Sequence, residues 1–551
     1  MSTLIKNGTI VTAYDEFVGD IYIEGEKIAA IGASLNLSAD RVIDADGKFV
    51  IPGGIDQHTH FEALCNSGDR DTAGYETSTQ AVIVGGTTTV VDYAPQDPGK
   101  GLIDSAQYRI NTRAKGKSCV DFALHALITE VNEKMFSEIT HLPEYGIASI
   151  KAFMAYKGSP LHVDDGTLVR VMEESKKAGV TVFIHAENAE IIDMLQKRYI
   201  AEGKTTPQYH IESRPPMVET EATQRAIYLA EQIDVPIYIV HISTSGARDA
   251  VAEAQAKMEK VYGETCTQYL TTTKDKLYTT DVNEAAKYVC SPALRDEADL
   301  EAMWQGLNNG TLSAIVSDHC GIDLAEMKQD GIDCFATIPN GAPGAADRIP
   351  VIWTKGVVSG KISRKKFVEV CSTLPAKING IYPRKGHIAV GSDADIVIID
   401  PDYKGKISLA ANPNGIDYNI YEGMDLLGRP DTVLLRGRLM VEHGTFVGEK
   451  GQGQKSSGYL AVCFGVRRPV LGSVAAALRL PHHQAGGELH LRGVLLPGHH
   501  GHQPDRRCVR QQPAQEPHLW YDRPADGLHR YGRRHRRHPL LLWLGNSEIR
   551  H

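Results

Sequence analysis

A set of histidines, one lysine and one aspartate in this 551-residue chain is spaced for metal chemistry. His58 and His60 close the apolar run GIDQHTH, Lys151 lies in ASIKAFMAY, His185 closes TVFIH, His241 follows PIYIV and Asp318 follows LSAIV. Residues i and i+2 of a strand share a face, so His58 and His60 aim both imidazoles into one space. Four imidazoles and a carboxylate are ligands that zinc accepts, with Mn or Co as substitutes. The lysine is the informative member. An ammonium beside metal ions would be repelled, whereas burial and neighbouring cations lower its pKa from about 10.4. A neutral Lys151 amine can then take up carbon dioxide. The carbamate so formed is an anionic two-oxygen bridge, able to hold two cations about 3.5 to 4 Å apart.

Taken singly, each residue has a plainer explanation. A lone histidine at a strand end is usually a hydrogen-bonded core or rim residue, a lone lysine snorkels, and a lone aspartate caps a helix. The set differs because its members fall at the ends of successive apolar runs with the lysine in the middle of the order. His125, in DFALHALI, has no obvious partner and is read as structural.

The elements that must position these residues are eight apolar β-rich runs: GIDQHTH, TTTVVDYA, DFALHALI, ASIKAFMAY, TVFIHAEN, PIYIVHIS, VYGETCTQYL and LSAIVSDHC. Continuous apolar runs fit strands buried on both faces, and amphipathic segments such as DDGTLVRVMEESKKAG and ETEATQRAIYLAEQI supply the covering helices. Eight such units predict an α/β fold, a (β/α)8 TIM barrel over residues 51–385, whose active site lies at the C-terminal strand ends. The first fifty residues alternate short β runs with turns, and a related texture returns in GSDADIVIIDPD and TVLLRGRLMVEHGTFVG. One small β-sandwich is therefore expected from residues 1–50 and 386–453, the chain leaving it for the barrel and coming back.

Residues 454–551 stand apart. From Ser456 onward there are 14 Arg, no Lys and 6 acids, with 11 of the 22 His, so the tail is net +8 and the body net −17. Helical or strand periodicity is hard to find there, and we read the segment as an out-of-frame translation rather than a metal- or nucleic-acid-binding appendage. The acidic body disfavours nucleic-acid phosphates as partners. No apolar run approaches the roughly 18 residues that span a bilayer, and no leader is seen, so no membrane association is expected. Nine cysteines without a CxxC suggest reduced thiols and a cytoplasmic protein.

The motifs resemble those of the amidohydrolase superfamily, and more narrowly the dihydropyrimidinase and hydantoinase family of cyclic amide hydrolases. PGGIDQHTH, GGTTTVVDYA, SIKAFMAYKG, FIHAEN, YIVHIS, ETCTQYL, SPALR, SDHC and IPNGAPG occur in that family's order, from about Leu4 to about Gly453. HxH and GSDAD belong to the whole superfamily, while AYKG and IPNG point to the dihydropyrimidinase branch. The resemblance implies that His58, His60 and Asp318 bind one metal and His185 and His241 a second, with Lys151, as its N6-carboxylated form, bridging both. It implies that Tyr156 donates a hydrogen bond to the developing oxyanion and that main-chain groups of Ser291 and Asn340 hold the ring amide. It also implies a homotetramer, if the C-terminal segment that helps to build it is intact.

The expected reaction is the opening of a dihydropyrimidine or 5-substituted hydantoin, a small cyclic amide, to an N-carbamoyl amino acid. Asp318 would take the nucleophile's proton and pass it to the leaving ring nitrogen. The loop after HxH, with Leu64, Cys65, Asn66 and the acidic stretch Asp69 to Asp71, is expected to cover the exocyclic group together with Phe153. Thr267 stands where the family pattern has proline. An allantoinase-like hydrolase and a non-catalytic scaffold like the collapsin response mediator proteins are the alternatives. The second loses weight because every ligand position is filled.

Overall fold

Strands covered on both faces have no side on which to place alternating polar residues, and the barrel strands show this. DFALHAL, SIKAF and TVFIH are buried at every position. The computed structural model describes residues 1–62, 73–257 and 260–457. The residues Leu64, Cys65, Asn66 and Asp69 to Asp71, and the chain beyond residue 457, lie outside that set.

The N-terminal strands are β1 (Ser2–Val11), β2 (Glu16–Glu24), β3 (Lys27–Gly32), β4 (Arg41–Asp44) and β5 (Phe49–Pro52). The barrel follows with β6 (Gly54–His60), β7 (Thr87–Pro95), β8 (Asp121–Leu127), β9 (Ser149–Phe153), β10 (Thr181–His185), β11 (Ile237–Ile239), β12 (Val261–Cys266), β13 (Ala314–Val316) and β14 (His319–Cys320). After it come β15 (Ile396–Lys406), β16 (Asp425–Leu435), β17 (Arg438–Glu442) and β18 (Thr445–Phe446).

Each of the eight predicted runs forms a parallel strand, in the order β13-β12-β11-β10-β9-β8-β7-β6-β14. Helices lie between them. The predicted DDGTLVRVMEESKKAG becomes the helix Asp165–Ala178, started by the Asp164 carboxylate accepting the Thr167 N–H at 2.7 Å and stopped by Gly179 in the left-handed conformation. The eighth run is split. β13 pairs only with β12, and β14 pairs with β6, so a break at Ser317 and Asp318 closes the (β/α)8 TIM barrel.

The segments before and after the barrel meet in the second sheet, β18-β17-β16-β15-β5-β1-β2-β3 with β4 beside β1. The join is the antiparallel pairing of β15 with β5, Ile396 opposite Pro52 through Ile399 opposite Phe49. One hydrophobic cluster draws Ile5, Ile10, Ile21 and Val50 from the first segment and Ile396, Ile398 and Leu434 from the second. The two segments thus complete one core. Where this sheet meets the barrel, Lys385 Nζ lies 2.6 Å from Asp121, 3.1 Å from Asp393 and 2.5 Å from Asp395, all buried. Gln454 and Ser456 hydrogen-bond to Phe122 on β8.

Candidate metal centre and active site

The carboxyl ends of the barrel strands open into a cavity of about 630 Å³. Its lining includes His58, His60, Lys151, Tyr156, His185, His241, Ser291, Asp318 and Asn340, so the fold brings every nominated residue to one place. Three of them, Tyr156, His241 and Asp318, have φ of +62°, +41° and +51°. Side-chain-bearing residues rarely adopt this left-handed region, and such strain collects where a site over-determines the backbone.

His58, His60 and Asp318 offer ligand atoms that all lie within 4.8 Å of one another. Asp318 Oδ1 is 3.0 Å from His58 Nε2 and 3.3 Å from His60 Nε2. Burial alone would raise the Asp318 carboxyl, but His58 and His60 hold it well below the usual carboxylate range. His185 and His241 stand beside this triad, with ring centres 4.5 Å apart and His241 5.4 Å from His58. Burial and then its neighbours His185 and Lys151 push His241 far below the ordinary histidine value, which leaves a neutral ring whose nitrogen is free to act as a ligand.

Lys151 is fully buried, and its Nζ has no hydrogen-bond partner among the described residues. The rings of Tyr93 and Phe153 lie 4.9 and 5.1 Å from it. A buried ammonium without a partner costs on the order of several kcal/mol. Burial accordingly lowers its pKa to about 8, against the opposing pull of Asp318 and Glu264. The donor set and the orphaned atom at Lys151 Nζ fit a metal centre. The pair His185 and His241 is two ligands short of a tetrahedral site, which a bridging oxygen anion on Lys151 would help to fill.

Tyr156 packs against Phe153 and His185, with ring centres 5.7 and 5.3 Å away. Burial, and then Glu187, push its phenol well above the ordinary value, so it remains a hydrogen-bond donor. Ser291 and Asn340 face the same cavity, with Asn340 Oδ1 buried and unpartnered among the described residues. His125 is separate, as expected. Its ring nitrogens meet Ser149 Oγ and, at 2.9 Å, the Gln57 carbonyl, and burial lowers it to about 3. Thr267 opens the helix Thr267–Thr271 at its first position, a place where proline and threonine are both accommodated.

Two functional carboxylates escaped the sequence reading. Glu264, on β12, contacts His58 Nδ1 at 2.6 Å while accepting from Gln57 Nε2 at 2.7 Å. Glu187, two residues beyond His185, contacts His185 Nε2 at 2.7 Å. Partners of this kind fix which ring nitrogen carries the proton and leave the other free to bind metal, Nε2 on His58 and Nδ1 on His185. Both lie in motifs already quoted, ETCTQYL and FIHAEN. For Glu187 the available signal was an acid two residues from a strand-end histidine; for Glu264 there was none, because His58 lies 206 residues away.

A fold of eight βα units whose strand ends gather histidines, a buried lysine and an aspartate defines a class of metal-dependent hydrolases, and the comparisons name it. The amidohydrolase family model matches residues 49–440, and the chain belongs to that family. A D-hydantoinase of Rhizobium radiobacter is 45% identical over 455 residues, 82% of this chain and 98% of its own length. The dihydropyrimidinase of Rattus norvegicus is 37% identical over 82% of this chain and 88% of its own. The crystal structure of dihydropyrimidinase from Brevibacillus agri superposes with a TM-score of 0.80 at 41% identity, covering 83% of this chain and 98% of that one. Within the amidohydrolases the chain is a member of the dihydropyrimidinase and hydantoinase family, and it is a cyclic amidohydrolase acting on C–N bonds.

Proposed function

We propose that this chain opens dihydropyrimidine or 5-substituted hydantoin rings to N-carbamoyl amino acids, using two divalent cations, zinc in the first instance. The observation that carries this reading is Lys151, buried without a hydrogen-bond partner among the described residues in a cavity shared with four imidazoles and Asp318. His58, His60 and Asp318 would hold one cation and His185 and His241 the other, with N6-carboxylated Lys151 between them. When bound, the cations lower the pKa of water from about 15.7 towards about 7 and polarise the ring carbonyl.

The chain's own residues do the rest. Main-chain groups of Ser291 and Asn340 hold the ring amide with its carbonyl towards Tyr156. A water attacks the carbonyl carbon as Asp318 takes its proton, and the Tyr156 phenol donates to the oxygen on which charge collects. Asp318 then gives the proton to the ring nitrogen as the C–N bond breaks. Filled ligand positions favour this hydrolase over a scaffold role, and AYKG and IPNG favour it over an allantoinase.

Among the described residues no helix is long and apolar enough to cross a membrane. The described cysteines form no disulfide, which supports our placing the protein in the cytoplasm. We expect no nucleic-acid partner and a homotetramer where the C-terminal segment is intact.

The test is metal content by plasma mass spectrometry alongside hydrolysis of dihydrouracil, hydantoin and allantoin. About two zinc per chain with ring opening of the first two supports the reading. Folded protein that has been offered zinc and bicarbonate and neither binds metal nor turns over defeats it. In the same assay Tyr156→Phe should lower kcat about 100- to 1,000-fold at unchanged metal content.

A further inference from the structure

Asp318 sits where the eighth barrel strand is broken. Ladder pairing holds β13 against β12 and β14 against β6, and the chain passes from one neighbour to the other through Ser317 and Asp318. At that crossing Asp318 takes its left-handed backbone. Side chains hold the seam in place of a ladder. The Asp56 carboxylate, fully buried, accepts the Ser317 N–H at 3.2 Å and the His58 N–H at 3.4 Å on the same oxygen. The Ser317 hydroxyl donates to the His58 carbonyl at 3.3 Å and accepts the His319 N–H at 3.1 Å. Behind Asp56 lies the buried Arg348, its Nε 3.5 Å from the second carboxylate oxygen. Arg348 also donates to the Ile315 carbonyl at 3.0 Å and to Thr87 Oγ1 at 2.9 Å, tying β6, β7 and β13 together.

We infer that Ser317, backed by Asp56, is the positioning residue that sets the Asp318 carboxylate against His58 for proton transfer. One carboxylate oxygen fixes the backbones of both His58 and the residue before Asp318, and the Ser317 hydroxyl brackets Asp318 from its two sides. Without that hydroxyl the ligands remain, but the left-handed residue loses a hydrogen bond to each flanking segment. Misplacement by an ångström in a site of this kind costs about 100-fold in rate. The inference rests on the role proposed for Asp318.

The experiment compares Ser317→Ala, Ser317→Thr and Ser317→Val in the full chain, loaded with cobalt(II) and bicarbonate. Thr and Val share a shape and differ in the hydroxyl. Ala and Val should lower kcat about 10- to 100-fold with KM within about twofold, at unchanged cobalt content, and should shift the visible d–d band. Thr should stay within about threefold of the parent and keep the parent spectrum. An Ala variant within about twofold of the parent, or Thr and Val variants that behave alike, overturns the inference. The spectra separate it from the substrate reading: if the parent binds cobalt yet opens neither dihydrouracil nor hydantoin, that reading fails while the Thr and Val spectra still decide the seam. A parent that binds no cobalt overturns both.

Discussion

Two buried lysines, each surrounded by possible metal ligands, have opposite fates in this molecule. At the junction of barrel and second sheet, Asp121, Asp393 and Asp395 form a carboxylate group that could hold a cation. Lys385 occupies its centre at 2.5 to 3.1 Å, and Arg436 pairs with Asp121 as well. Burial disfavours the Lys385 charge, yet the three aspartates raise its pKa above the ordinary lysine value. At the strand ends Lys151 is equally buried but has no carboxylate within hydrogen-bonding distance among the described residues, and its pKa falls to about 8. The first cluster is closed on itself and holds two parts of the fold together. The second leaves its donors unspent. A buried charge cluster marks a site where its polar atoms remain without partners, and metal-like spacing alone does not tell the two apart.

Lys151→Ala should break the comparison most severely. Losing the proposed carbamate bridge would lose Lewis-acid help worth several kcal/mol, so kcat/KM should fall about a thousandfold or more together with metal content. Small carboxylic acids that imitate the carbamate should restore part of it, while the melting temperature stays close to the parent's. Normal activity in this variant would end the binuclear reading. The pH dependence has a definite sign. A lysine whose pKa is lowered to about 8 is neutral, and reactive towards carbon dioxide, above that pH and protonated below it. Chain stripped of metal and carbon dioxide should therefore be reactivated about twentyfold faster at about pH 8.5 than at about pH 6.5, at equal dissolved carbon dioxide.

Lys385→Met sharpens the contrast from the other side. It strands three buried aspartates against Arg436 and Lys27, and breaking a buried ion group of this kind costs about 3 to 5 kcal/mol. Denaturant unfolding should show that loss, while kcat of the folded fraction stays within about twofold of the parent. A variant with normal stability and impaired turnover would reverse the assignment of the two clusters.

The barrel was legible because its strands are covered on both faces, so GIDQHTH, TTTVVDYA and their successors read as unbroken apolar runs, several of them ending in the candidate ligands. The return to the second sheet was legible for a related reason, since GSDADIVIID carries the same strand texture as the N-terminal segment. The split of the eighth strand was not. SAIVSDHC looks continuous, and only the choice of neighbours, β12 on one side and β6 on the other, creates the break at Asp318. The role of Glu264 was equally hidden, because the imidazole it holds lies 206 residues away in sequence and meets it only across the barrel. Lys385 gave no sign either, for its three aspartates come from β8 and from the stretch leading into β15.

The smallest and most discriminating effect concerns the carboxylates behind His58 and His185. Glu264 holds His58 and is itself met by neutral donors, Gln57 Nε2 and Tyr238 nearby, with Gln57 bridging the two at 2.6 and 2.7 Å. Glu187 holds His185 with a guanidinium beside it, Arg214 Nε at 3.8 Å. Burial opposes the Glu187 charge, but His185 and Arg214 keep its carboxyl below the ordinary value. Glutamine at either place keeps the shape, removes the charge, and should weaken metal binding about 10- to 100-fold in a chelator competition. The two variants should part in the metal-free protein. Glu187→Gln leaves Arg214 buried without its counter-charge and should lower the melting temperature of the apo chain, whereas Glu264→Gln removes a carboxylate that pairs with no arginine among the described residues and should leave it nearer the parent. Equal apo stabilities with unequal metal affinities would mean that Arg214 contributes nothing through Glu187. Unchanged metal affinity in both would mean that the histidines are held by the barrel backbone alone.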